Sequence, residues 1–185
     1  GTKVKIDYII MAHHSRSAYL KDLLWQLPQD KTTASIDQGT LGVWENAKRS
    51  WSKVDPKSDY GIVIQDDAIL CDGFTKKAEQ FLTEHDGQII SFYYGNETKW
   101  VKPQYFDAPL FHAVALAIPT KLIPEMITYC DTRYEVFGDD MKIKRWLISK
   151  NLTCRYSNPS LVQHRDIPSI VDPDKPLRQS TIFSQ

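Results

Sequence analysis

Two adjacent carboxylates, Asp66 and Asp67, follow the apolar run Tyr60 to Gln65. An acidic pair supplies hard oxygen ligands, and Mg²⁺ or Mn²⁺ held by such ligands can bridge to the oxygens of a diphosphate. Taken alone, Asp-Asp with Asp72 and Gly73 close by reads as a solvated turn. A second pair, Asp139 and Asp140, follows Phe137-Gly138. Helix capping would account for Asp139 but not for Asp140. Near the carboxyl end, Asn158-Pro159-Ser160-Leu161-Val162-Gln163-His164-Arg165 places a histidine after a short apolar run, so His164 offers an imidazole to the same cation. On its own it would be a loop or core histidine. The fourth segment runs from Gly42 to Arg49 at a predicted helix start, which favours anions; Trp44, Asn46 and Arg49 there suit a base and its phosphates. Trp44 would serve a core equally well.

These residues are positioned by alternating elements. Lys3 to Ala12 reads as a buried strand leading to the polar loop His13-His14-Ser15-Arg16. Leu20, Leu23, Leu24 and Leu27 then mark an amphipathic helix that Pro28 closes. A short strand is expected at Ala34 to Asp37 and a helix from about Val43 to Lys53, with Val43, Ala47, Trp51 and Val54 on one face. Tyr60 to Gln65 is the next strand, Phe74, Ala78, Phe81 and Leu82 stripe the helix after it, and Ile89 to Tyr94 is a further strand. The apolar stretch Leu110 to Ile118 precedes Pro119, which is expected to open a helix to about Tyr129. A helix over Asp139 to Lys150, a strand near Cys154 and a proline-rich tail complete the chain. Such alternation predicts a single α/β domain over residues 1–185, with a mostly parallel sheet flanked by helices. Open sheets of this kind bind ligands at their strands' carboxyl ends, where Asp66 and Asp67 stand.

Composition narrows the function classes. The 185 residues suit one core, and 23 Lys and Arg balance 23 Asp and Glu, so no global field draws the protein to nucleic acid or anionic membrane. Cys71, Cys130 and Cys154 lie far apart without Cys-x-x-Cys spacing, and read as reduced thiols of a cytoplasmic protein. No apolar run approaches the ~20 residues of a bilayer span.

The strand ending in Gln65-Asp66-Asp67-Ala68, the preceding GVWENAKRSW helix, the later Phe137-Gly138-Asp139-Asp140 and the NPSLVQH tail occur in an order that resembles the GT-A class of glycosyltransferases, in particular compact bacterial and phage-type members. The resemblance implies a single Rossmann-like domain that moves a sugar from a nucleotide-diphosphate sugar, with UDP as the expected nucleotide. It maps the metal-binding acidic motif onto Asp66 and Asp67, with Asp67 the direct ligand of Mn²⁺ or Mg²⁺ and Asp66 able to touch the ribose. The chain departs from the family's Asp-x-Asp or Glu-Asp-Asp by carrying Gln65 in the first place. His164 matches the family's late metal-binding histidine. Asp139 and Asp140 match the acidic pair of inverting members, with Asp140 as base and Asp139 orienting the acceptor or capping the helix. A retaining mechanism would not need that base. His13, Arg16 and Asp37 should border the nucleotide's base or ribose. Neighbouring side chains at a strand end diverge, which argues against His13-His14 as a metal site. The acceptor classes left open are a saccharide, a protein, or a modified nucleobase in DNA for a phage-encoded enzyme in its host's cytoplasm.

Two other classes compete. A nucleotidyltransferase would share fold and metal site, but its first loop is typically glycine-rich, and His13 to Arg16 contains no glycine. A nucleic-acid-binding module would interleave basic and aromatic residues, as Lys48, Arg49 and Lys53 do with Trp44 and Trp51, or Lys142, Lys144 and Arg145 with Trp146. The segment Asn96 to Phe106, with Trp100, Tyr105 and Phe106, is expected to form a lid over the acceptor or an ordinary surface loop.

Overall fold

The structure is a computed structural model that describes residues 2–96, 104–167 and 179–185. Its centre is a seven-stranded sheet built from β1 (Ile6–His13), β2 (Thr32–Asp37), β3 (Tyr60–Gln65), β5 (Ile90–Ser91), β6 (Tyr105–Ala108), β7 (Ala115–Pro119) and β8 (Cys154–Ser157), in the order β2-β1-β3-β7-β5-β8-β6. Five of these strands point one way and only β7 and β6 run against them. The short strands β4 (Ala68–Leu70) and β9 (Val162–His164) pair separately as an antiparallel ribbon.

Strand alternation divides the core between the two faces of the sheet, because successive side chains leave a strand on opposite sides. Tyr8, Ile10, Ile62, Ile64, Ala115 and Ala117 enter one core, where Leu20 and Leu23 of α1 (Ser17–Gln26) and Phe74, Ala78 and Leu82 of α3 (Phe74–Glu84) cover them. Ile9, Val63, Leu116 and Ile118 enter the other, under α2 (Val43–Ser52), α4 (Ile123–Asp131) and α5 (Asp139–Ser149). Trp51 and Trp146 are each only 2% exposed within that second core. Two of the three tryptophans that a nucleic-acid-binding surface would need are therefore interior packing.

The expected α/β layering is observed, with local corrections. Pro119 ends β7, and the helix that follows begins only at Ile123, after a 3₁₀ turn over Thr120–Leu122. Of the expected strand Ile89 to Tyr94, only Ile90 and Ser91 pair as a strand. Tyr105 and Phe106 belong to the edge strand β6, and Phe106 stacks on Tyr156 at a ring separation of 5.3 Å. Trp100 lies outside the described residues. The three cysteines are buried free thiols. No helix among the described residues is long and apolar enough to cross a membrane.

Candidate active site

Three parallel strands, β2, β1 and β3, end side by side, with His13 paired to Asp37 and Met11 to Gln65. Their carboxyl ends therefore present Asp37, His13, Asp66 and Asp67 along one rim. Just past β3, the Asp66 amide donates to the Met11 carbonyl at 3.1 Å and the His13 amide donates to the Asp66 carboxylate at 2.8 Å. The acidic pair is thus tied to β1 before any side chain from a distant element reaches it.

The β4–β9 ribbon brings in the histidine. Ala68 stands opposite His164, and the Arg165 amide donates to the Asp67 carbonyl at 2.7 Å. That register places His164 Nε2 3.0 Å from Asp67 Oδ2, while its Nδ1 lies 2.7 Å from the Arg165 carbonyl. The strand is braced from behind. Gln163 Oε1 accepts from the amides of His164 and Ser180, its Nε2 donates to the Ser180 carbonyl, and the Gln179 side chain donates to the His164 carbonyl. Arg16, at the end of the 3₁₀ turn after β1, completes the cluster; its guanidinium lies 3.3 Å from Asp66 Oδ1 and 3.4 Å from Asp67 Oδ2.

Burial and charge act in opposite senses on these groups. Burial pushes the Asp67 carboxyl up, but His164 and then Arg16 outweigh it and hold the group below the usual carboxylate range. At Asp66 burial prevails over the His13 amide and Arg16, and the carboxyl is raised. Burial lowers His164, yet its contact with Asp67 more than compensates and leaves the imidazole raised. Asp139, at the start of α5 and 5% exposed, is pushed up to about 7 by burial first and by the charge of Asp140 second, with a further contribution from Asp67. The field of Asp67 therefore reaches Asp139, which ties the second acidic pair to the first. Asp140 is half-buried, and one of its oxygens accepts from the Met141 amide at 2.8 Å.

The residues expected on the nucleotide side divide. His13 and Arg16 stand at the cluster, although His13 Nδ1 is engaged with Ser15, 2.7 Å from its hydroxyl. Asp37 directs its carboxylate into its own loop, accepting from the amides of Gly39, Thr40, Leu41 and Gly42 at 2.8 to 3.2 Å. Gly39 and Gly42 both have positive φ, which lets the chain wrap that carboxylate before α2 starts. Asn46 is buried, accepting from the Ser35 hydroxyl at 2.7 Å and donating to the Ala12 carbonyl at 3.0 Å. Arg49 donates to the same hydroxyl at 2.7 Å, and Trp44 Nε1 donates to Asp131 at 3.1 Å. These side chains clamp α2 to β1, β2 and α4.

Two residues outside the expected site set lie near His164. Tyr93, buried just past β5, has its ring 6.3 Å from that of His164 and 5.9 Å from that of His112, which precedes the antiparallel β7. A histidine inside the apolar run Leu110 to Ile118 was the available signal for His112. Gln163 and Ser180 had none, because their role follows from pairing across the fold.

Among the described residues no group of three or more His, Cys, Asp and Glu side chains is arranged to hold a metal. Asp67 and His164 nevertheless fit one as a partial set. Asp67 Oδ1 is a buried acceptor without a hydrogen-bond partner, and leaving such an atom unsatisfied costs on the order of 1 to 3 kcal/mol. A Mg²⁺-type cation typically takes one or two protein ligands and completes its shell with water and substrate phosphate.

No family model matches the chain, and no curated protein matches it in sequence. Among solved structures it is similar to a putative glucose-1-phosphate thymidylyltransferase from Bacillus anthracis in complex with a sucrose. The identity is 12%, the match covers 86% of this chain and 89% of that one, and the TM-score is 0.48.

Proposed function

We propose that the protein is a metal-assisted glycosyltransferase that takes a sugar from a nucleoside-diphosphate sugar, UDP-linked by preference, and passes it to an acceptor hydroxyl with inversion. The observation that carries this reading is the partnerless, buried Oδ1 of Asp67 beside His164, at the carboxyl edge of the sheet and within the field of Asp139. Asp67 and His164 would hold Mn²⁺ or Mg²⁺ there, and the cation's chemistry would be to neutralise the departing diphosphate. Arg16 and the His13 loop lie where the nucleotide would enter, and Asp66 keeps that loop folded against the metal ligands.

In the transfer, the acceptor oxygen attacks the anomeric carbon as the bond from that carbon to the phosphate oxygen breaks, and the acceptor proton passes to a carboxylate. Asp140, the more accessible of its pair, takes that proton. Asp139 lies behind it, its carboxyl raised by burial first and by the charge of Asp140 second. Tyr134 and Phe137, strongly exposed on the loop leading into α5, flank the acceptor side. A saccharide and a modified nucleobase both offer the flat faces that such side chains stack against.

Calorimetry of UDP and other nucleoside diphosphates, with and without Mn²⁺, tests the reading on the native protein and on Asp67→Ala. Metal-dependent binding that the substitution weakens by about 100-fold is expected, the loss of a charged ligand being worth several kcal/mol. No binding of any nucleotide by the native protein would remove the transferase reading. Pyrophosphate release from a nucleoside triphosphate and a sugar phosphate would replace it with nucleotidyl transfer.

A further inference from the structure

Asp66 and Asp67 are both buried, yet their charges are not left bare: the Arg16 guanidinium spans them at 3.3 and 3.4 Å, with its side chain only 12% exposed. We infer that Arg16 is the resident counter-cation of the acidic pair, and that it makes the free protein a poor binder of divalent cations until a nucleoside diphosphate arrives. The inference rests on the proposed donor site and concerns the order in which that site fills.

Charge conservation within the cluster supports it. Two carboxylates face one permanent cation in Arg16, at 3.3 and 3.4 Å, and His164 Nε2 lies 3.0 Å from Asp67. A guanidinium stays charged across the accessible pH range. A dication added beside Arg16 would meet a cluster whose negative charge is already half compensated, and would stand next to a fixed positive charge in surroundings of low dielectric where like charges repel strongly. A diphosphate changes the balance by bringing its own negative charge, which accepts the guanidinium in bidentate fashion. Arg16 is placed to make that exchange, because it ends the 3₁₀ turn after β1 and borders the His13 loop. Metal and nucleotide then bind cooperatively, and since binding coupling is reciprocal, each raises the other's affinity by the same factor. The metal–diphosphate bond supplies part of that factor, and Arg16 supplies a part that depends on its charge.

The test titrates Mn²⁺, followed by the loss of its free electron-spin signal, into the native protein, Arg16→Gln and Arg16→Lys, each with and without UDP. Without UDP, Arg16→Gln is expected to bind Mn²⁺ about tenfold more tightly than the native protein, while Arg16→Lys, which keeps the charge, stays near the native value. The enhancement of Mn²⁺ affinity by UDP should shrink in Arg16→Gln by about the same factor. A thermal scan gives a second readout, in which Mn²⁺ alone should raise the Tm of Arg16→Gln more than that of the native protein. Equal Mn²⁺ affinity in the native protein and Arg16→Gln, or weaker binding by the variant, would overturn the inference, and so would Arg16→Lys behaving like Arg16→Gln. If UDP still promoted Mn²⁺ binding equally in all three proteins, the donor-site reading would stand without the inference. Failure of every form to bind Mn²⁺ even with UDP would remove both.

Discussion

Replacing Asp139 with asparagine should make the metal-free protein more stable at neutral and alkaline pH. The Asp139 carboxyl is held at about 7 against an ordinary value of 3.8. A folded state that binds this proton more tightly than the unfolded chain loses stability as pH rises from the unfolded value towards the folded one. The penalty grows between about pH 4 and pH 7 and then levels off. About three pH units at ~1.4 kcal/mol each set a ceiling of about 4 kcal/mol on it. Asparagine keeps an oxygen for the Asp140 amide that the Asp139 carboxylate accepts, so the substitution removes the titration while leaving the start of α5 intact. Urea unfolding of both proteins from pH 4 to pH 8, in metal-free buffer, measures the difference directly. The variant should gain on the native protein steadily between pH 4 and 7, by about 2 to 4 kcal/mol in all. A difference that does not vary with pH would show that burial and Asp140 do not perturb this group, and the electrostatic link between the two acidic pairs would fall with it.

Three further outcomes follow from the geometry. Asn46→Ala removes a buried bridge between Ser35 and the Ala12 carbonyl, which should cost about 2 kcal/mol and lower the Tm by roughly 4 to 8 °C in a thermal scan. Gly61→Ala would set a Cβ 2.5 Å from the Val54 side chain, and this overpacking should cost about 1 to 3 kcal/mol by urea unfolding. His164→Gln removes an imidazole whose folded value is raised through Asp67. The stabilisation lost is full below the ordinary value of 6.5 and fades as pH rises through the raised one, so the variant should trail the native protein most near pH 6 and approach it in alkali when urea unfolding is followed across that range.

Strands and helices long enough to show a period were legible in the sequence: β3 begins and ends where its apolar run does, and α3 follows its Phe74, Ala78 and Leu82 stripe. The three-residue strands β4 and β9 were not, since their pairing comes from contact between segments almost a hundred residues apart and leaves no local period. Nor does a strand's apolar pattern record its direction, so β7 was visible as an apolar stretch without its antiparallel sense. The acidic pairs and His164 could be picked out by type and placement. Arg16 is placed beside the nucleotide only by the resemblance, and no local pattern discloses that its guanidinium also rests on Asp66 and Asp67. At α2, the amphipathic pattern located the helix but not the task of its polar residues. Asn46 and Arg49 share one hydroxyl, that of Ser35, and only the packing of the helix on β2 brings them to it.

The β4–β9 ribbon also fixes when the site can exist. Asp67 acquires its imidazole only after the chain has been made through residue 164 and β9 has closed on β4, with Ser180 bracing Gln163. A growing chain therefore displays its first acidic pair long before it can form the Asp67–His164 contact, and a partly folded chain does not present the assembled cluster. A ligand that bridges Asp67 and His164 would pin together two segments almost a hundred residues apart in the chain.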